Sequence, residues 1–142
     1  MKNLSLILIA MLMLSACRKF ENSAQNIAIA EGMFEAFNQH DWKKMAAFYA
    51  DTAEFLDPSF GTEYVKKTPA ETASKYKEMQ QMFPDIKDDV KSITATGDRV
   101  VVEFVSGGSL PDGKKWRLPI CTVLTITKGK IVKDATYYDN SH

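Results

Sequence analysis

The sequence predicts an α+β domain in which a curved antiparallel sheet wraps around about three N-terminal helices. Three observations carry this. Apolar residues recur every three or four positions in the first half, every second position after Pro84, and turn residues mark the junctions in between. Helices first and hairpins afterwards fit a helix-on-sheet layer architecture.

From Ala24 to Phe37 the spacing of Ile27, Ala30, Phe34 and Phe37 predicts an amphipathic helix. Asp41 is placed to cap a second, short helix whose buried side is Trp42, Met45, Ala46 and Tyr49. Ala53 to Leu56 is a brief strand that stops at Asp57-Pro58, because proline excludes helical geometry from its predecessor and lacks a backbone donor. Thr68-Pro69-Ala70-Glu71 is a helix start, with a capping hydroxyl, proline at the first helical position and Glu71 closing a capping box. That helix runs through Ala73, Tyr76 and Met79 and ends before Pro84. Strands are expected near Val90–Thr96, Arg99–Val105, Trp116–Thr127 and Lys130–Tyr138, joined as an antiparallel meander through Gly97-Asp98, the Gly107 to Gly113 stretch and Lys128-Gly129.

The 142 residues are 45% hydrophobic and carry 18 basic and 18 acidic side chains, which suits one globular core. A formal charge of zero without a basic run gives no footprint for nucleic acid. No histidine and carboxylate set has metal-ligand spacing, and no glycine loop is built to cradle phosphate, so no metal or other cofactor is expected.

The N-terminus reads differently. Lys2 precedes an apolar run from Leu4 to Leu14, of signal-peptide length and too short to span a bilayer comfortably. Leu14-Ser15-Ala16-Cys17 resembles the lipobox of bacterial lipoproteins, which implies cleavage after residue 16 and lipidation of Cys17. The expected organisation is a signal peptide over 1–16, a lipidated cysteine and tether over 17–26, and a folded domain over 27–142. Acylation would anchor the domain to the cell envelope, since each buried methylene adds about 0.8 kcal/mol of membrane affinity. Arg18 after the cysteine resembles lipoproteins released to the outer membrane, and Cys121 is left without a disulfide partner.

Four stretches carry a further resemblance: Phe37 to Trp42 (FNQHDW), Phe48 to Pro58 (FYADTAEFLDP), Phe83 to Ile86 (FPDI) leading to Gly97 to Val100 (GDRV), and Gly129 to Ile131 (GKI) ending in Tyr137-Tyr138-Asp139. In this order they resemble the nuclear transport factor 2-like superfamily, and more narrowly its SnoaL-like polyketide cyclase branch. The resemblance implies a cone enclosing one apolar pocket and a small apolar organic ligand. Asp57 matches the proton-shuttling aspartate of ketosteroid isomerases, which implies a pocket that raises its pKa toward a useful range. The positions that supply the isomerases' oxyanion donors hold Met33 and Cys121, and loss of such a donor is worth about 2.7 to 4 kcal/mol of barrier, so steroid isomerisation is not expected. Asp139 matches the acid near the end of the last strand in SnoaL-type cyclases. Their strand histidine is lacking, the corresponding region being Val105 to Ser109.

Strict alternation puts Asp139 on one face with Ile131, Lys133, Ala135 and Tyr137, unless a bulge intervenes. Phe34, Trp116 and Tyr137 are candidate ligand-lining aromatics beside Tyr64 and Tyr138, although aromatics in a small domain most often serve as core. Two functions fit. One is cofactor-free proton transfer of isomerase or cyclase type, with Asp57 as base and Asp139 as partner. The other is a non-catalytic module that binds a ligand or dimerises through its sheet.

Overall fold

Asn38 ends the first helix with a side chain that fastens it to the sheet, and that contact shows how the domain is assembled. The computed structural model describes residues 22–139. The expected signal peptide, the lipidation site Cys17 and His142 lie outside the described residues. Helix α1 covers 22–38, including residues 22–26 that the sequence assigns to the tether. It is followed by α2 (Trp42–Ala46), β1 (Tyr49–Leu56), a 3-10 turn (Pro58–Phe60), β2 (Val65–Lys67), α3 (Pro69–Met82), β3 (Lys87–Thr96), β4 (Arg99–Ser109), β5 (Lys115–Thr127) and β6 (Lys130–Tyr137).

The fold is α+β, with the helices lying against a curved, open six-stranded sheet of order β2-β1-β6-β5-β4-β3. β3 to β6 form the antiparallel meander expected from their turns. The sheet is nevertheless mixed, because β1 joins β6 in parallel. A parallel neighbour cannot follow through a tight turn, so the long excursion through β2, α3 and the rest of the meander separates the two strands in sequence.

Apolar periodicity decides which faces meet. Ala30, Met33, Phe34, Ala36 and Phe37 of α1 are buried against Val100, Val102, Phe104, Leu124 and Ile126 of the sheet. Phe34 meets Phe104 edge-on at 4.8 Å between ring centroids. Gly32 lets α1 pack onto Phe48, just before β1, since a Cβ there would stand 2.7 Å from that ring. The capping box at Thr68 and Glu71 forms as the sequence predicts, and proline occupies the first turn of α3.

A polar brace fixes the helices to the start of β3. Trp42 Nε1 donates to Gln80 Oε1 at 2.7 Å, Gln80 Nε2 donates to His40 Nδ1 at 2.9 Å, and His40 Nε2 donates to the Ile86 carbonyl at 2.8 Å. Asn38 donates to the Asp88 carbonyl and accepts from the Asp88 N–H, both at 2.8 Å. The histidine thus belongs to the scaffold, and the brace holds β3 against α1.

Two elements depart from the sequence expectation in ways that matter below. α2 stops at Ala46, and Tyr49 opens β1 opposite Ile131, because pairing with β6 outweighs the helical preference of so short a segment. β4 continues through Gly107 and Gly108 to Ser109, so these glycines are strand residues paired with Arg117 and Trp116.

Candidate active site

The concave face of the sheet, α1 and α3 enclose a cavity of about 350 Å³. Phe34 and Phe37 of α1, Tyr76 and Met79 of α3, and Phe104 and Ile120 of the sheet make its walls largely apolar and aromatic. Four carboxylates also line it, Glu78 of α3 and the three aspartates Asp57, Asp134 and Asp88. Each aspartate sits in a different electrostatic setting.

Asp57 follows β1 and caps the 3-10 turn, where Pro58 fixes the extended backbone that aims the side chain. Its Oδ1 accepts from the Ser59 N–H at 2.7 Å and from the Tyr138 hydroxyl at 2.9 Å, and its Oδ2 lies 3.5 Å from Lys75 Nζ. Burial raises the carboxyl's pKa, but the Ser59 donor, the Lys75 ammonium and the Tyr138 hydroxyl outweigh it, leaving the value below the ordinary one. The direction is opposite to the rise implied by an apolar pocket alone. Lys75 is the less satisfied partner: loss of hydration lowers its pKa more than Asp57 restores it. Its ammonium also stands 3.5 Å from the centroid of the Phe60 ring and donates to Ser59 Oγ at 3.1 Å.

Asp134 lies on β6 and is buried. Its Oδ2 accepts from the Tyr49 hydroxyl at 2.7 Å, while its Oδ1 accepts from Thr122 Oγ1 at 2.6 Å and Thr136 Oγ1 at 3.0 Å. The hydroxyls come from β1, β5 and β6, so the sheet itself fixes the carboxylate in orientation. Burial raises the pKa of Asp134, the hydroxyl donors from Thr122, Tyr49 and Thr136 offset part of that rise, and the charge of Asp57 adds to it. Tyr49 is held well above the ordinary tyrosine value by burial and by Asp134, so it remains a proton donor.

Asp88, near the start of β3, is only 8% exposed, and its Oδ1 has no hydrogen-bond partner among the described residues. Burial pushes its carboxyl up to about 7, and Ser106, opposite it on β4, offsets only part of that rise. Tyr76 responds to all three aspartates. Burial raises its pKa, followed by the charges of Asp134, Asp57 and Asp88, so its phenol also stays protonated.

Of the candidates drawn from the sequence, Asp57, Phe34 and Trp116 line the cavity. Tyr137 is 53% exposed, and neither it nor the exposed Asp139 is among the lining residues. The reason is an irregularity in β6: Ile126 pairs with Ile131 but Thr125 pairs with Lys133, which inserts one extra residue. Alternation therefore shifts, and Asp134, Thr136 and Tyr138 face the cavity in place of the odd-numbered residues. Met33 lines the cavity as the resemblance implies, whereas its lining on β5 comes from Trp116, Leu118, Ile120 and Thr122, the alternate positions to Cys121.

The sequence reading missed Asp134, Asp88 and the role of Tyr49. Val90 was the expected start of β3, so Asp88 fell in a connection, although the even-numbered positions of β4 opposite it read as core. Trp116 Nε1 is a second buried atom without a hydrogen-bond partner among the described residues, set against Gly108, where a Cβ would stand 3.2 Å from it.

The SnoaL-like domain matches residues 30–133, from within α1 to the start of β6, a span that holds Asp57 and Asp88 and ends one residue before Asp134. The chain belongs to the SnoaL-like domain family. Solved structures agree. A protein from Xanthomonas campestris pv. campestris, provisionally named a polyketide cyclase, is 25% identical, with a TM-score of 0.74 over 83% of this chain and 93% of that one. A second protein given that provisional name, from Streptomyces antibioticus, is 24% identical with a TM-score of 0.73 over 82% and 93%. An epoxide hydrolase from M. tuberculosis is 19% identical, with a TM-score of 0.69 over 82% of this chain and 84% of that one. Among curated proteins none matches. The match thus fixes the scaffold, while the neighbours differ in the chemistry they are named for.

Proposed function

We propose that this SnoaL-like domain is a cofactor-free proton-transfer enzyme, of isomerase or cyclase type, acting on a small and mostly apolar carbonyl compound. The observation that carries the reading is Asp134: a buried carboxylate at the wall of an apolar cavity, oriented by hydroxyls from Tyr49, Thr122 and Thr136. A base in such a setting is fixed in direction, and its raised pKa favours uptake of a proton from carbon. Asp134 abstracts the proton α to the carbonyl, the electron pair moves onto the carbonyl oxygen, and the same carboxyl returns the proton to a different carbon or to the same one. Tyr76, held protonated beside the acids, donates to the developing oxyanion. Asp57 serves as the fixed negative charge that keeps Lys75 and Tyr138 in place, rather than as the base.

The test follows α-proton exchange in D₂O by NMR over a panel of cyclic ketones and β-dicarbonyl compounds. Wild type is expected to accelerate exchange for a subset, and Asp134→Asn to slow it by about 10²- to 10⁴-fold. No acceleration for any member would sink the catalytic reading.

One observation favours the second reading, a binding module. Asp57, the acid the superfamily resemblance singles out, is held ionised with both oxygens engaged. A carrier would bind panel members without exchanging their protons. For the chain as a whole we propose lipid anchoring at Cys17 in the bacterial envelope, probed by incorporation of an alkyne-tagged palmitate that Cys17→Ser abolishes. Support comes from the apolar run ending in Leu14-Ser15-Ala16-Cys17. The partly exposed Val101, Val105 and Val123, at positions alternating with the buried residues of β4 and β5, support a homodimer through the outer sheet face, which sedimentation would detect.

A further inference from the structure

The cavity has two polar poles. One is built from Asp134, Tyr49, Thr122, Thr136, Asp57 and Tyr138, on the β1 and β6 side of the sheet. The other is Asp88 on β3, at the opposite edge, with β5 and β4 lying between. The register sets the poles apart along the strands as well, since Asp134 is in line with Leu124 and Val100 whereas Asp88 faces Ser106, six residues further along β4, so they lie at diagonally opposite corners of the lining. Phe104, Leu118 and Ile120 floor the space between them, with Phe34 above. The first pole is internally satisfied, since each oxygen of Asp134 and Asp57 is matched by a donor. The second is not.

An unpaired buried carboxylate oxygen is among the costlier features a fold can retain. Asp88 is held there by construction: Asn38 grips both backbone groups of Asp88, and His40 grips Ile86 two residues before it. The strand cannot rotate this side chain out to water without losing these bonds. A residue fixed at a cavity wall with an open acceptor is complementary to a donor on whatever fills the cavity.

We propose that the ligand of this cavity has an apolar middle and a polar group at each end, and that Asp88 Oδ1 accepts a hydrogen bond from a hydroxyl or amine at the end remote from Asp134. The inference rests on the reading of this cavity as a ligand site, and it deepens that reading by naming the class: a difunctional compound, with the reacting carbonyl at one end and a hydrogen-bond donor at the other. Asp88 is then a specificity-determining residue that selects substrates and sets their direction in the cavity. A carboxyl titrating near 7 is also the one most sensitive to a donor arriving beside it.

Binding is measured by calorimetry with two matched pairs of probes, 2-naphthol against 2,6-dihydroxynaphthalene and 4-phenylphenol against 4,4′-dihydroxybiphenyl. In the wild-type domain the second hydroxyl is expected to tighten binding about tenfold in at least one pair, the size of a single charge-assisted hydrogen bond. Asp88→Leu should erase that advantage while leaving the affinity of the singly hydroxylated probe within about threefold, and Asp88→Asn, which keeps an accepting oxygen, should retain part of it. A thermal melt of each variant verifies that it is folded. Equal affinities within both pairs, an advantage that persists in Asp88→Leu, or no binding of any of the four probes would each overturn the inference. Because the readout is equilibrium binding, it is separate from catalysis. A diol preference without proton exchange retires the enzyme reading alone, and exchange without a diol preference retires this inference alone.

Discussion

Asp57 and Asp88 are both carboxylates against the same cavity, yet they are pushed in opposite directions. Asp57 is surrounded by the Ser59 N–H, the Tyr138 hydroxyl and the Lys75 ammonium, and stays ionised below its ordinary range. Asp88 has Ser106 as its one mitigating neighbour and rises to about 7. Burial acts on both in the same sense. Part of the difference lies in the donors the fold supplies, and Asp134 shows the other part: hydroxyls reach both its oxygens, yet burial still raises its pKa. Depth and donors therefore tune each acid together: three donors, one of them a cation, hold the half-buried Asp57 low, whereas three hydroxyls do not keep the buried Asp134 from rising.

The largest way to expose this contrast is through pH. Asp88 binds its proton more tightly folded, at about 7, than at the ordinary 3.8 of an unfolded chain. Its contribution is thus most favourable below pH 4 and is lost as pH rises through 7, a span worth about 4 kcal/mol. Urea denaturation of wild type and Asp88→Asn from pH 4 to 8 should show the wild type losing stability relative to the variant. A difference that stays flat across that range would mean Asp88 is better solvated than its burial indicates. Asp57 carries the opposite sign, its contribution fading as pH falls below the normal carboxylate range.

Next in size, Tyr49→Phe removes the only donor to Asp134 Oδ2 among the described residues and should cost about 1 to 3 kcal/mol in the same denaturation experiment at pH 7. It should also move the Asp134 carboxyl further up in a carbon-detected NMR titration. Tyr138→Phe deletes one of two donors to Asp57 Oδ1, and a loss of about 1 kcal/mol is expected. The smallest effect sharpens the comparison most directly. Lys75→Met leaves the hydrogen bonds of Ser59 and Tyr138 in place and should raise the Asp57 titration without reaching that of Asp88. A rise to the same level would make the lysine, and not the hydroxyl and amide donors, the source of the difference.

Asp57 was legible in the sequence because Asp-Pro at the end of a short apolar run has local consequences: proline sets the backbone, and the backbone aims the side chain. The helix start at Thr68-Pro69 and the meander were legible for the same reason, each being dictated by residues within a few positions. Asp134 was not. Its placement depends on one added residue in β6, which periodic alternation counted from Ile131 passes over. Tyr49 looked helical from its spacing to Trp42 and Met45, and only pairing with a strand 82 positions later in the chain makes it a strand residue. Asp88 was hidden because a buried acid contradicts the expectation that charged residues face water, and nothing local announces the brace from Asn38 and His40 that keeps it inside.

The added residue in β6 also sets the phase of everything that follows it. Upstream, Ile131 points inward; downstream, Asp134, Thr136 and Tyr138 do. Deleting Val132 would remove the bulge and leave Ile131 and Asp134 two positions apart on one face, so the acid and its hydroxyls would keep their inward phase. The last strand therefore encodes two alternative linings for one chamber, one on each parity, and the bulge selects between them: the same residues paired without it would turn Lys133, Tyr137 and Asp139 toward the interior.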